Sequence, residues 1–198
     1  MVTGLILLIP IVGSINGLGW MLASLDRLRA GENTLAPANL RYIGRGFQLF
    51  VVDLAYYLVV AGIAAAVYVP ALIVASSQSN GSANPALISL AIALSLLAFS
   101  FATLGSLALN FVMPSIVLAT DRGGIGGGLR VRSVLRHARA NMANTLIAGL
   151  MLIAAGFIGS LGLLACGIGV LFTTAYALAM QAWVVRSVEI GSPAATAA

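Results

Sequence analysis

A chain of 198 residues that is 61% hydrophobic and 8% charged has too few charges to clothe a soluble domain, where about 25% of residues are charged. Its solvent must be mostly lipid. The net charge of +5 comes from arginines without a single lysine, and they flank apolar segments instead of forming a solvated stripe, which argues against nucleic acid and for the positive-inside bias of membrane proteins.

Charge-free and charged stretches alternate. Residues 1–25 carry no charge, 26–53 carry seven, 54–120 none, 121–139 six and 140–185 none. A helical span needs about 20 apolar residues, so the three uncharged runs hold one, two and two helices. The expected fold is all-α: a single transmembrane helical domain over 1–187, five spans and a short amphipathic helix, with residues 188–198 as a frayed tail. No Lys or Arg precedes Arg27, so the amino-terminal stretch lacks the positive start of a cleavable signal.

Helix 1 is expected over roughly 3–24. The Gly13 and Gly17 spacing places both glycines on one face, where they permit close helix contact. Pro10 and the glycines leave a re-entrant or tilted segment open. Asn16, near mid-membrane, is a candidate for a bond to another helix or subunit. The loop over 25–46 holds Arg27, Arg29, Arg41 and Arg45, and Gly31, Pro37 and Gly44 break it. Helix 2 spans roughly 47–76, with Pro70 expected to kink it. A polar turn follows, and Asn84 then Pro85 reads as an N-cap with proline at the first helical position. Asn80-Gly81-Ser82 also fits a glycosylation sequon, a weak match. Helix 3 covers roughly 85–119, bent or ended by Pro114. The glycines at 123, 124 and 126–128 lack the Gly-Lys-Ser/Thr of a P-loop and read as a flexible joint.

Residues 130–139 carry four arginines and the only histidine. Val131, Val134, Leu135, Ala138 and Met142 form one apolar helical face. Arg132, Arg136 and Arg139 fall on another. With Arg130 they are candidates for contact with anionic lipid headgroups; the alternative is a loop helix packing on the other loop. Helix 4 spans roughly 141–158 and helix 5 roughly 161–186, with Gly156, Gly159 and Gly162 in a tight turn and helix-packing role. Cys166, alone in an apolar run, reads as a small core residue.

Five spans place the loops at 25–46 and 120–140 and the end at Arg186 on one side, which then holds all ten basic residues. That side is the cytoplasm. The amino terminus is outside and the carboxyl terminus inside.

Several pieces stand together in a familiar order: Pro10, Gly13, Gly17, Arg27, Gly31, Pro37 and Gly46; then Pro114, a Gly-containing loop and a basic helix ending at Asn141; then the close over 161–187. The chain resembles the DUF4013 family of prokaryotic multispan membrane proteins over roughly 5–187. Trp20 stands where the pattern leads one to expect Tyr, and acids are sparse before Pro37. The resemblance implies a multi-pass protein of a prokaryotic cytoplasmic (inner) membrane and carries no activity, cofactor or catalytic residue with it.

Asp53 is the only acid well inside an expected span, about 10 Å from its inner end at 1.5 Å per residue. An ionisable residue at that depth is a functional candidate by default. Asn110, Asn144 and Gln181 lie at similar depth, and Tyr56 and Tyr57 one turn deeper. These six are the candidate polar layer; the alternative is that Asp53 bonds a neighbour and fixes packing. One His, one Cys and scattered acids make no metal cluster, and no hydrolytic triad is supported. His137 reads as an interfacial polar residue. Trp20 and Trp183 read as interfacial aromatics or core. The functional expectation is a non-catalytic scaffold or accessory subunit that packs with membrane partners or with itself. The rival is a small transporter or channel subunit using the Asp53 layer.

Overall fold

The computed structural model describes residues 10–32, 34–78, 84–140, 142–164 and 168–191, omitting the side chains of 10, 11, 161–164 and 168–171. The fold among them is helical throughout. In chain order these are α1 (Pro10–Arg29), a 3-10 turn (Leu40–Tyr42), α2 (Ile43–Ser77), α3 (Pro85–Gly128), α4 (Val131–Ala140), α5 (Met142–Leu164) and α6 (Ile168–Ile190). Three helical segments are long and apolar enough to cross a membrane: 40–77, 85–128 and 142–160. The chain divides into two compact units, one of residues 1–53 with 110–198, the other of 54–109.

In the first unit, α1 packs on α6, α5 pairs with α6, and α4 rests on α5. Its core gathers Trp20, Met21, Leu22 and Leu25 of α1, Leu49 of α2, Val117 and Leu118 of α3, Leu152 of α5 and Val184, Val185 and Val188 of α6. Burial of such side chains stabilises by roughly 1.5–3 kcal/mol each where water is the alternative. In the second unit, the remaining stretches of α2 and α3 form a helical pair. A Cβ at Gly105 would meet the Val60 side chain at 2.6 Å, so the two helices approach closely there.

α1 continues past the expected break to Arg29 because Gly31, not a charge, ends it. Gly31 lies in the left-handed region (φ 79°). Its N–H donates to the Leu28 carbonyl at 3.3 Å and the Glu32 N–H to the Arg27 carbonyl at 3.0 Å, which is the Schellman arrangement that glycine favours. At α3 the expected cap is present: Asn84 Oδ1 accepts from the Ala86 N–H at 3.0 Å, ahead of Pro85.

Other boundaries differ from expectation. α3 does not end near 119; helical geometry is lost instead at Gly124 (φ 60°, ψ −157°). Proline in an apolar helix is tolerated, and both Pro70 and Pro114 lie inside helices. α5 runs to Leu164, so Gly156 and Gly159 are helical and not a turn. α6 runs past Arg186 to Ile190, so Val188 and Glu189 are helical and not tail. The start of the expected helix 1, the sequon over 80–82, Asn141, Cys166 and residues 192–198 lie outside the described residues.

The packing glycines divide in the same way. Gly13 and Gly17 are buried. Gly159 makes an ordinary contact, its Cβ position 3.6 Å from the Ala177 methyl, and Gly156 faces open space. The surroundings of Gly162 lie outside the described residues. Gly156→Ala is therefore expected to be neutral or to stabilise by up to about 1 kcal/mol through helix propensity, read as the unfolding temperature in detergent.

Candidate functional site

Two constructions in the first unit place polar groups. One is a stripe along α1. Asn16, Trp20, Ser24 and Arg27 recur at i, i+4, i+8 and i+11, a single face of the helix. The loop after α1 folds back along this face. Asn16 Nδ2 donates to the Asn39 carbonyl at 3.1 Å, and Trp20 Nε1 donates to the Ala36 carbonyl at 2.8 Å. The Ala36 N–H donates to Ser24 Oγ at 3.3 Å, and Arg27 Nη1 donates to the Leu35 carbonyl at 3.1 Å. Ala36 is the buried residue of this loop, and its N–H and C=O, which need partners once away from water, both find them on the stripe. Among the described residues the Asn16 amide nitrogen thus bonds the loop, and Trp20 is a core residue. Trp183, by contrast, is exposed.

The other construction is an ion-pair cluster drawn from four helices. Arg29 closes α1, Arg45 opens α2, Asp121 and Arg122 lie near the end of α3, and Arg186 and Glu189 near the end of α6. Arg29 is the hub. Its Nε and Nη2 meet the two Glu189 carboxylate oxygens at 2.9 and 3.0 Å, a forked pair that suits the planar guanidinium. Its Nη1 meets Asp121 Oδ2 at 2.6 Å and Asp26 Oδ1 at 3.1 Å. Arg45 bridges the other oxygens of the same two aspartates, reaching Asp121 Oδ1 at 2.7 Å. Arg122 and Arg186 add bonds to Glu189 at 3.1 Å each. The Asp121 side chain is 8% exposed and that of Glu189 14%. The three segments that sequence parity placed together, 25–46, 120–140 and the end of the last helix, are therefore joined directly.

Burial raises the Glu189 pKa, but hydrogen bonds from Arg29, Arg122 and Arg186 and the Arg29 charge outweigh it and hold the carboxyl below the ordinary glutamate value. Burial likewise opposes the Arg29 charge, and Glu189 and Asp121 more than compensate. A depressed folded-state pKa stabilises the fold fully above the ordinary glutamate value, about 4.3. That stabilisation is lost as pH falls through the folded-state value. The unfolding temperature is expected to drop as pH falls below the ordinary glutamate value of about 4.3, with a shallower drop in Glu189→Gln.

The residues of the expected polar layer lie on four helices, with Asp53, Tyr56 and Tyr57 on α2, Asn110 on α3, Asn144 on α5 and Gln181 on α6. Asp53 is half-buried on α2 and, alone among the five acids, has no arginine partner among the described residues. Asn144 does not join it; its Nδ2 donates to the Gly191 carbonyl at 3.1 Å, at the end of α6. Gln181 is half-buried on α6 and Asn110 half-buried on α3. Tyr56 and Tyr57 belong to the second unit. Among the described residues no three His, Cys, Asp or Glu side chains are grouped to hold a metal. The arginines at 130, 132, 136 and 139 are exposed on or beside α4.

The ion-pair cluster was missed from sequence because its partners lie up to 160 residues apart. One signal was available: Asp121 and Glu189 each adjoin an arginine or follow one at i+3 in otherwise apolar surroundings.

Searches of curated proteins and of solved structures gave no match. The family described as "Protein of unknown function (DUF4013)" matches residues 2–185. That is nearly the whole chain, and with its apolar helices and arginine-flanked segments the protein belongs to the DUF4013 family.

Proposed function

We propose that this protein is a non-catalytic, five-span component of a prokaryotic cytoplasmic membrane, amino terminus outside, that serves as a scaffold or accessory subunit packing against other membrane subunits or copies of itself. The observation that carries this reading is the bare surface of its apolar helices. The most apolar stretch of α2 is 6% buried and that of α3 11%. Ala61, Gly62, Ala65 and Ala66 lie exposed on α2, and small residues of this kind let helices approach closely in lipid. The ion-pair cluster supports it too, since it ties the chain's own segments together at the proposed cytoplasmic face. After mild detergent extraction the protein is expected to migrate on native gels above its own mass. Gly62→Leu should release it to the monomer position. A monomer with no co-purifying subunit in the unaltered protein removes the basis of this reading.

Asp53 favours a second reading, a small transporter or channel subunit. An acid within an apolar helix and without a charged partner among the described residues suits ion or proton handling. Asp53→Asn should then abolish flux in proteoliposomes and leave native-gel migration unchanged.

A further inference from the structure

Four arginines, at positions 130, 132, 136 and 139, stand apart from the ion-pair cluster. None of them has an acidic partner among the described residues, whereas Arg29, Arg45, Arg122 and Arg186 are all paired. The rotational setting of α4 explains where they point. Val134 and Ala138 are buried, and Thr145 Oγ1 of α5 donates to the Ala138 carbonyl at 3.1 Å. At about 100° per residue, the next strip around the helix axis carries Val131 and Leu135. Both are exposed. Arg139, Arg132 and Arg136 follow on the strip beyond. An exposed apolar ridge therefore runs between the protein core and a stripe of unpaired cations. Beside the start of the helix, Arg130, Arg132, Ser133 and Arg136 line a shallow cleft of about 530 Å³ whose apolar walls are Leu129 and Val131.

We infer that α4 is a docking surface for anionic phospholipid, its ridge entering the acyl–glycerol boundary and its arginines and Ser133 holding the phosphate. The adjacency of ridge and cations decides the occupant. A soluble phosphate satisfies the guanidinium groups and leaves Val131 and Leu135 in water. A phospholipid presents an apolar body and an anion side by side, the same order found around α4. Arginine also suits phosphate, since its fork pairs with two oxygens at once. This inference goes beyond the scaffold and transporter readings and stands with either.

The test is native mass spectrometry of the full-length protein in neutral detergent, titrated separately with phosphatidylglycerol, phosphatidylcholine and inorganic phosphate. Each arginine near an anionic surface strengthens binding about fivefold. Phosphatidylglycerol should therefore bind the unaltered protein at least about tenfold more tightly than phosphatidylcholine. Arg132→Gln, Arg136→Gln and Arg139→Gln together should bring the two lipids within about twofold, and the single substitutions should give graded losses, which keeps the test open if the triple variant fails to fold. Leu135→Asn should weaken both lipids and keep the preference. Arg41→Gln, an exposed arginine outside α4, should change nothing. A preference that survives the triple substitution overturns the proposal. An equal loss with Arg41→Gln overturns it as well, since net charge alone then explains the preference. Inorganic phosphate displacing phosphatidylglycerol completely assigns an ion site in its place.

Discussion

Arg29→Ala is expected to lower stability by about 3 kcal/mol, the lower end of the range for breaking a buried ion pair. The substitution removes the forked bonds to Glu189 and the short bond to Asp121. Both carboxylates stay behind with little solvent, and each keeps only its outlying arginines: Arg45 for Asp121, Arg122 and Arg186 for Glu189. A quarter of the Arg29 side chain is exposed, which keeps the loss from the top of that range. Arg29→Lys should recover part of it, since the charge remains and the fork is gone. The contrast is Arg27, whose partner Glu32 is 52% exposed at 3.5 Å; exposed pairs contribute about 0–1 kcal/mol. Thermal unfolding in detergent separates these outcomes. Equal losses for Arg27→Ala and Arg29→Ala would show that the cluster is not a hub. A double-mutant cycle of Arg29 with Glu189 should return a coupling well above the additive error of about 0.5 kcal/mol.

The second large effect belongs to the crossing of α1 and α2. A Cβ at Gly46 would lie 1.8 Å from the Ile15 carbonyl oxygen and 2.7 Å from the Gly19 nitrogen; one at Gly19 would lie 2.0 Å from the Tyr42 carbonyl oxygen. These neighbours are backbone and cannot swing aside, so the helices must separate. Gly46→Ala is expected to cost about 3 kcal/mol, the upper end for overpacking. Gly149→Ala looks similar by distance, with Phe111 Cδ1 at 2.0 Å. Its obstacle is a side chain that can change rotamer, so the expected cost is nearer 1 kcal/mol. The double variant Gly19→Ala with Gly46→Ala should cost less than the sum, because one separation of the helices relieves both clashes. Equal, small effects at Gly46 and Gly149 would mean the crossing is looser than described.

Local pattern carried much of the fold. Apolar run length marked α2 and α3, the Asn84–Pro85 pair marked the start of α3, and the alternation of Val134 and Ala138 with arginines marked α4. Each of these signals lies within one turn or one span. What escaped depends on pairing between distant segments. Nothing near Gly46 says that Ile15 passes against it, and nothing near Asn16 says that Asn39 returns to it. The apolar face of α4 was legible as a face, but which strip meets protein and which is left exposed is set by α5. The candidate layer around Asp53 rested on equal depth along separate helices, and equal depth does not fix rotation: Asn144 turns to Gly191 instead.

The clasp between Arg29 and Glu189 joins groups 160 residues apart. At about 5–20 residues per second of translation, the first helix must wait on the order of ten seconds or more for its partner to leave the ribosome. During that interval Arg29 has only Asp26 and then Asp121 to answer its charge. Assembly of the first unit is therefore completed only once Glu189 has been synthesised, and nascent chains stalled before Glu189 should be unusually open to proteolysis at the end of α1.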